Sequence, residues 1–162
     1  MNEWLALGIA LVVCFAAAAL GSRATVPALR EWYPSLQKPT WNPPNWVFGP
    51  VWTVLYVAMA VSVWIVWRSG ADVGIAFGLF ALQLGLNVAW SVVFFGGRNV
   101  TGGRSVIIAL WLAVAATLLD FWSIDGISGA LLAPYLAWVT FAALLNAAFA
   151  KLNSRSTAAR ER

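Results

Sequence analysis

Long apolar runs alternate with short polar breaks along this chain. The first run, Trp4 to Leu20, is closed by Gly21-Ser22-Arg23, and later runs stop at Arg68-Ser69-Gly70, at Gly96-Gly97-Arg98, around Ser123 to Gly126 and at Lys151. A helix rises about 1.5 Å per residue and a hydrocarbon core is about 30 Å thick, so each run is long enough to cross a bilayer. The pattern predicts membrane helices over about 4–21, 47–67, 73–95, 105–122 and 127–151, with a long loop at 22–45 and a tail at 154–162. The connections after the first loop are short, which predicts that consecutive helices are antiparallel neighbours. The expected fold is an all-α membrane protein, a bundle of five transmembrane helices. The first run is read as a retained helix rather than a signal peptide, because its only preceding charge is Glu3 and a signal peptide needs a basic start.

Composition agrees: 62% of residues are hydrophobic and 10% charged, against roughly 25% charged in soluble domains. Histidine is absent, which removes the commonest metal ligand and general base, and no metal site is expected. The one cysteine, Cys14, lies within the first apolar run and can form no internal disulfide. Of the ten Lys and Arg, all but Arg68 fall in the first loop, the third loop or the C-terminal segment. Positive residues favour the cytoplasmic side, so these parts are expected in the cytoplasm and the N-terminus outside, in an inner or bacterial envelope membrane. The basic tail suits anionic headgroups and calls for no nucleic acid.

The stretch Trp41 to Tyr56 places three tryptophans, Pro43-Pro44 and a tyrosine where the loop becomes the second helix. Trp41 and Trp46 are also explained as interfacial anchors, since indoles favour the headgroup level. Trp52 lies deeper, where its N–H needs a partner that lipid does not offer. On the third helix, Gly74, Gly78, Ala81, Gly85 and Ala89 share one side, while Gln83, Asn87, Trp90 and Phe94 gather on the other. Small residues at this spacing let helices approach closely, here either a helix of the same chain or a second copy, and the homodimer is favoured. Asn87 must be turned inward, because an unpartnered amide in hydrocarbon is costly, and it is expected to border a cavity. Gln83 is assigned an interhelical hydrogen bond only. On the fifth helix Tyr135, Trp138, Ala142 and Leu145 form one stripe after Pro134. Indoles at Trp52, Trp90 and Trp138, with Ala142 leaving room, would suit a large flat ligand.

These residues resemble the tryptophan-rich sensory protein and translocator protein family (TspO/MBR). The likeness spans roughly residues 5 to 153 and is carried by Trp32-Tyr33, Lys38-Pro39, Trp41-Asn42-Pro43-Pro44, Trp46 to Tyr56, Gln83-Leu84 with Asn87 and Trp90, Phe94-Phe95-Gly96, Pro134 to Trp138 and Leu145-Asn146. It implies a five-helix bundle, usually dimeric, with a cavity for porphyrins such as protoporphyrin IX and for benzodiazepine-type ligands. The cavity positions it implies are Trp52, Asn87, Trp90, Trp138, Ala142 and Leu145, to which Phe48 and Tyr135 are added, with Tyr33 and Trp41 on a loop that lids it. It further implies two alternatives to a receptor or carrier. One is light- and oxygen-dependent porphyrin degradation with Trp52 and Trp138 as the reactive indoles; the other is a ligand-gated regulator acting through partner proteins. Porphyrin would then be ligand or substrate, with no other cofactor. Ala147 stands where the family's sterol motif has tyrosine, which counts against sterol binding.

Overall fold

The computed structural model describes residues 2–160, with side chains to Asn153. Five helices account for the fold: α1 Glu3–Glu31, α2 Phe48–Arg68, α3 Gly74–Ser91, α4 Val100–Ile124 and α5 Gly126–Arg160. All five are long and apolar enough to cross a membrane. Short 3₁₀ turns at Tyr33–Ser35 and Asn45–Val47 punctuate the first loop, and a π turn, Val92–Gly96, follows α3. Much of the expected basic tail, the side chains from 154 onward, lies outside the described residues.

The first helix departs from expectation. Gly21-Ser22-Arg23 does not end it; α1 continues through Pro27 to Glu31, so the loop proper is residues 32–44. The Ser22 hydroxyl donates to the Ala18 carbonyl at 2.6 Å and Thr25 to Gly21 at 3.0 Å, which turns two polar side chains back onto their own helix. Gly21 serves packing instead: a Cβ there would stand 3.2 Å from Ser91 Oγ, so α1 and α3 approach closely at this point.

In cross-section the helices run α1, α2, α5, α4, α3 and back to α1. The expectation that all consecutive helices pack together therefore fails at α2 and α3, whose backbones barely touch because α1 lies against both. Side chains bridge the space between them. Tyr56 Oη donates to Asn87 Oδ1 at 2.7 Å, and Gln83 Nε2 stands 3.8 Å from Met59 Sδ. Gln83 thus meets only a thioether, and its Oε1 is buried with no partner.

Each end of the bundle is fastened. At one end Glu3 pairs with Arg68 at 3.4 Å, its carbonyl accepts from Trp64 Nε1 at 3.0 Å, and the Arg68 guanidinium lies 4.7 Å over the Trp64 ring. At the other end Arg98 pairs with Glu31 at 3.2 Å. There the backbone N–H of Gln37 also donates to Asn153 Oδ1 at 3.0 Å, and Asn153 Nδ2 donates to the Gln37 carbonyl at 3.2 Å. Between α4 and α5 the turn is tight. Asp125 accepts from the N–H groups of Ile127 and Ser128 at 2.8 and 2.9 Å, capping α5. Gly129 is pressed so close that a Cβ would lie 2.7 Å from Trp122 Cα.

Gly74, Gly78, Ala81 and Gly85 are on the outer surface, with Ala89 partly covered. A Cβ at Gly78 or Gly85 would meet nothing within 4 Å. This side of α3 therefore packs on no other helix of the chain along most of its length.

Candidate functional site

The space left between α2 and α3, covered by α1, is a cavity of about 480 Å³. Volumes of 300–1,000 Å³ are typical of small-molecule sites. From α2 it is walled by Phe48, Trp52 and Tyr56, and from α3 and the following π turn by Asn87, Trp90, Ser91 and Phe95. α1 supplies a full side: Phe15, Ala18, Gly21, Ser22, Thr25, Val26 and Leu29. The start of α2 contributes Asn45, Trp46, Gly49 and Thr53 at the rim. No charged side chain is among these lining residues.

Local sequence explains the placement. Pro43 and Pro44 hold the chain extended before the Asn45–Val47 turn, and Pro50 is accommodated in the first turn of α2, where its missing N–H costs nothing. Trp52 then falls one turn inside, its ring 5.6 Å from Tyr56 and 6.1 Å from Tyr135. Thr53 donates to the Gly49 carbonyl at 2.9 Å and Ser91 to the Asn87 carbonyl at 3.3 Å. With Ser22 and Thr25 doing the same, the hydroxyl donors of the wall are spent on backbone.

Polarity is concentrated at one spot. Asn87, 2% exposed, accepts from Tyr56 and donates through Nδ2 to Tyr135 Oη at 2.9 Å, linking α2, α3 and α5. Its amide keeps one N–H beyond these two bonds. The indole N–H of Trp90 is buried without an acceptor in the protein. The site is therefore an uncharged, aromatic chamber that supplies a few hydrogen-bond donors.

The residues singled out from sequence do not share one chamber. Trp52, Asn87, Trp90 and Phe48 line the large cavity. Trp138, Ala142 and Leu145 line a separate void of about 20 Å³, to which Tyr33, Phe48 and Trp90 also contribute. Phe48 stands edge-on to Trp138 at 6.1 Å and closes the space between the two. Tyr135 is fully buried and acts through Asn87. Trp41, 48% exposed, packs edge-on against Phe141 at 5.7 Å and lines neither space. Tyr33 is also away from the large cavity: it donates to Asn42 Oδ1 at 2.6 Å, with Lys38 Nζ 4.5 Å over its ring. Burial pushes the Tyr33 phenol up to about 12, against a smaller opposite pull from the Asn42 bond. Missed from sequence were Tyr56 and the whole α1 wall. The wall is small and hydroxylated and carries no chemical signature; Tyr56 could have been found as the next inward aromatic after Trp52, at i+4.

Residues 10–152 match the TspO/MBR family. The chain is 39% identical over 156 residues to Protein CrtK of Rhodobacter capsulatus, covering 92% of this chain and 95% of that protein. It is 38% identical over 155 residues to the tryptophan-rich protein TspO of Chlorobaculum tepidum, covering 94% and 98%. It is also 38% identical over 131 residues to the human translocator protein, covering 78% of each.

Proposed function

From the premise that this chain belongs to the TspO/MBR family and is an integral, multi-pass membrane protein, we propose that it is a membrane receptor or carrier for porphyrin-like tetrapyrroles. Benzodiazepine-type molecules would occupy the same chamber. The observation that carries this reading is the uncharged cavity of about 480 Å³, walled by Trp52 and Trp90 and bordered by Asn87. Aromatic walls stack a flat apolar ring system without requiring a particular hydrogen-bond code. The Trp90 N–H and the free Asn87 N–H would gain acceptors from such a ligand. Anionic substituents belong at the rim, where Arg30 follows Val26 by four residues on the same side of α1. Arg30 is in no ion pair among the described residues. The N-terminus of α2 adds its positive end.

Titration with protoporphyrin IX should shift the Soret band, with affinity reduced about tenfold in Trp52→Phe and in Asn87→Ala. Absence of any shift at micromolar porphyrin would remove the proposal. The degradative alternative, with Trp52 and Trp138 acting together, has weaker support because these indoles line different spaces; equal photobleaching of wild type and Trp52→Phe would dispose of it. The outward small residues Gly74, Gly78, Ala81 and Gly85 support a homodimer across α3. The basic residues support a cytoplasmic first loop and C-terminus.

A further inference from the structure

Two observations bear on how anything reaches the cavity. The first loop is bolted down: Tyr33 is tied to Asn42, Gln37 to Asn153 by two hydrogen bonds, and Tyr33 is packed edge-on against Phe149 at 5.4 Å. The cavity, in contrast, is lined by residues that are themselves on the outer surface, all along one seam. Phe15 and Ser22 of α1 face Gly49 and Thr53 of α2 across that seam, and all four are exposed.

The depth of this seam follows from the Glu3–Arg68 pair, which marks one membrane face. At about 1.5 Å per residue, Phe15 and Ser22 stand about 18 and 28 Å up α1, and Thr53 and Gly49 about 22 and 28 Å up α2. These heights lie inside a hydrocarbon core of about 30 Å. Only the upper rim, at Val26, Leu29 and Trp46, rises to headgroup level. The hydroxyls of Ser22 and Thr53 are turned back onto backbone carbonyls, so the mouth presents little polarity to acyl chains.

We infer that the cavity exchanges its ligand sideways with the bilayer, through the seam between α1 and α2, while the first loop stays shut. The ligand class this admits is a membrane-dissolved amphiphile. Its apolar plane slides in at acyl depth, and its anionic groups travel at headgroup level beside Arg30. The identity of that amphiphile as a porphyrin rests on the function proposed above; the route does not.

Two measurements separate route from ligand. In lipid nanodiscs, a nitroxide attached at Thr25→Cys, with buried Cys14 left unlabelled, should collide more with bilayer-soluble oxygen than with an aqueous nickel chelate. Bridging Gln37→Cys and Asn153→Cys with a short bis-maleimide should leave that ratio unchanged. Dominant nickel collisions that fall on bridging would overturn the lateral route. In stopped-flow binding of protoporphyrin IX, the bridge should leave association within twofold, whereas Ser22→Trp at the mouth should slow association and dissociation together by at least tenfold, with Kd within about threefold. Thr53→Trp plugs the seam from the other helix and serves where Ser22→Trp fails to fold. Slowing by the bridge but not by either plug would also overturn the route. A wild type that binds no porphyrin would sink the ligand reading, and the nitroxide result would still decide the route.

Discussion

Asn87→Leu tests the hydrogen-bonded link on which the polar end of the cavity is built. The leucine keeps side-chain bulk but removes the acceptor of the Tyr56 phenol at 2.7 Å and the donor to Tyr135 at 2.9 Å. Tyr135 is 0% exposed, so its hydroxyl has no recourse to water, and an orphaned buried polar group costs about 1–3 kcal/mol. Tyr56 borders the cavity, and its lost bond should count nearer the ~0.6 kcal/mol average for hydrogen bonds between membrane helices. The expected loss is about 2–4 kcal/mol, read by helix circular dichroism in reversible SDS unfolding from mixed micelles. Removing every partner at once should cost less than removing one, because apolar replacement of a complete hydrogen-bonded set leaves nothing unpaired. Tyr56→Phe/Asn87→Leu/Tyr135→Phe should therefore recover at least half the stability that Asn87→Leu loses. A triple variant less stable than the single one would refute this account of the link.

Three further outcomes follow from geometry elsewhere. Gly129→Ala forces a methyl group against the Trp122 backbone, where the nearest atoms are Cα and N at 2.7 and 2.8 Å. It should cost about 1–3 kcal/mol, the usual range for overpacking, and an unchanged unfolding midpoint would count against the close approach. Asn153→Ala deletes both ties to Gln37; the Gln37 amide should exchange hydrogen roughly tenfold faster, as expected for about 1 kcal/mol, and no change would show the loop to be held by other contacts. Tyr33 has a folded value near 12, above the ordinary phenol value of about 10. Its protonated form is therefore the one the fold favours, and its contribution is complete below about pH 10 and fades as pH climbs toward 12. The stability difference between wild type and Tyr33→Phe should shrink across that interval, and a flat difference would contradict it.

Five spans were legible in the sequence because uninterrupted apolar runs in a chain with so few charges have no other solution. The inward turn of Asn87 was legible for a related reason: an amide that cannot face lipid must face protein or a cavity. The end of α1 was not. Gly21-Ser22-Arg23 has the composition of a stop, and nothing local announces that Ser22 and Thr25 will bond back to their own helix and let it run to Glu31. Pro27 reinforced the misreading, although it takes only one bond from the helix. The cavity's α1 wall was invisible because Ala18, Gly21 and Ser22 matter for the room they leave. The grouping of Trp52, Trp90 and Trp138 into one chamber went astray for a tertiary reason: the Phe48 ring, standing edge-on to Trp138, divides what helical periodicity alone would merge.

The π turn at Val92–Gly96 governs how this part of the chain can change in length. It winds one residue more per turn than the α geometry before it, so deleting a single residue there would not merely trim a loop. The deletion would restore ordinary winding and rotate the following segment by about 100°, carrying Arg98 away from Glu31 and Phe95 out of the cavity wall. A neutral shortening at this junction would need a compensating insertion before Asn99, whose side chain anchors the first turn of α4 by accepting from Gly102 at 2.7 Å. Length variation should accordingly be tolerated in the loop between α2 and α3 and resisted here.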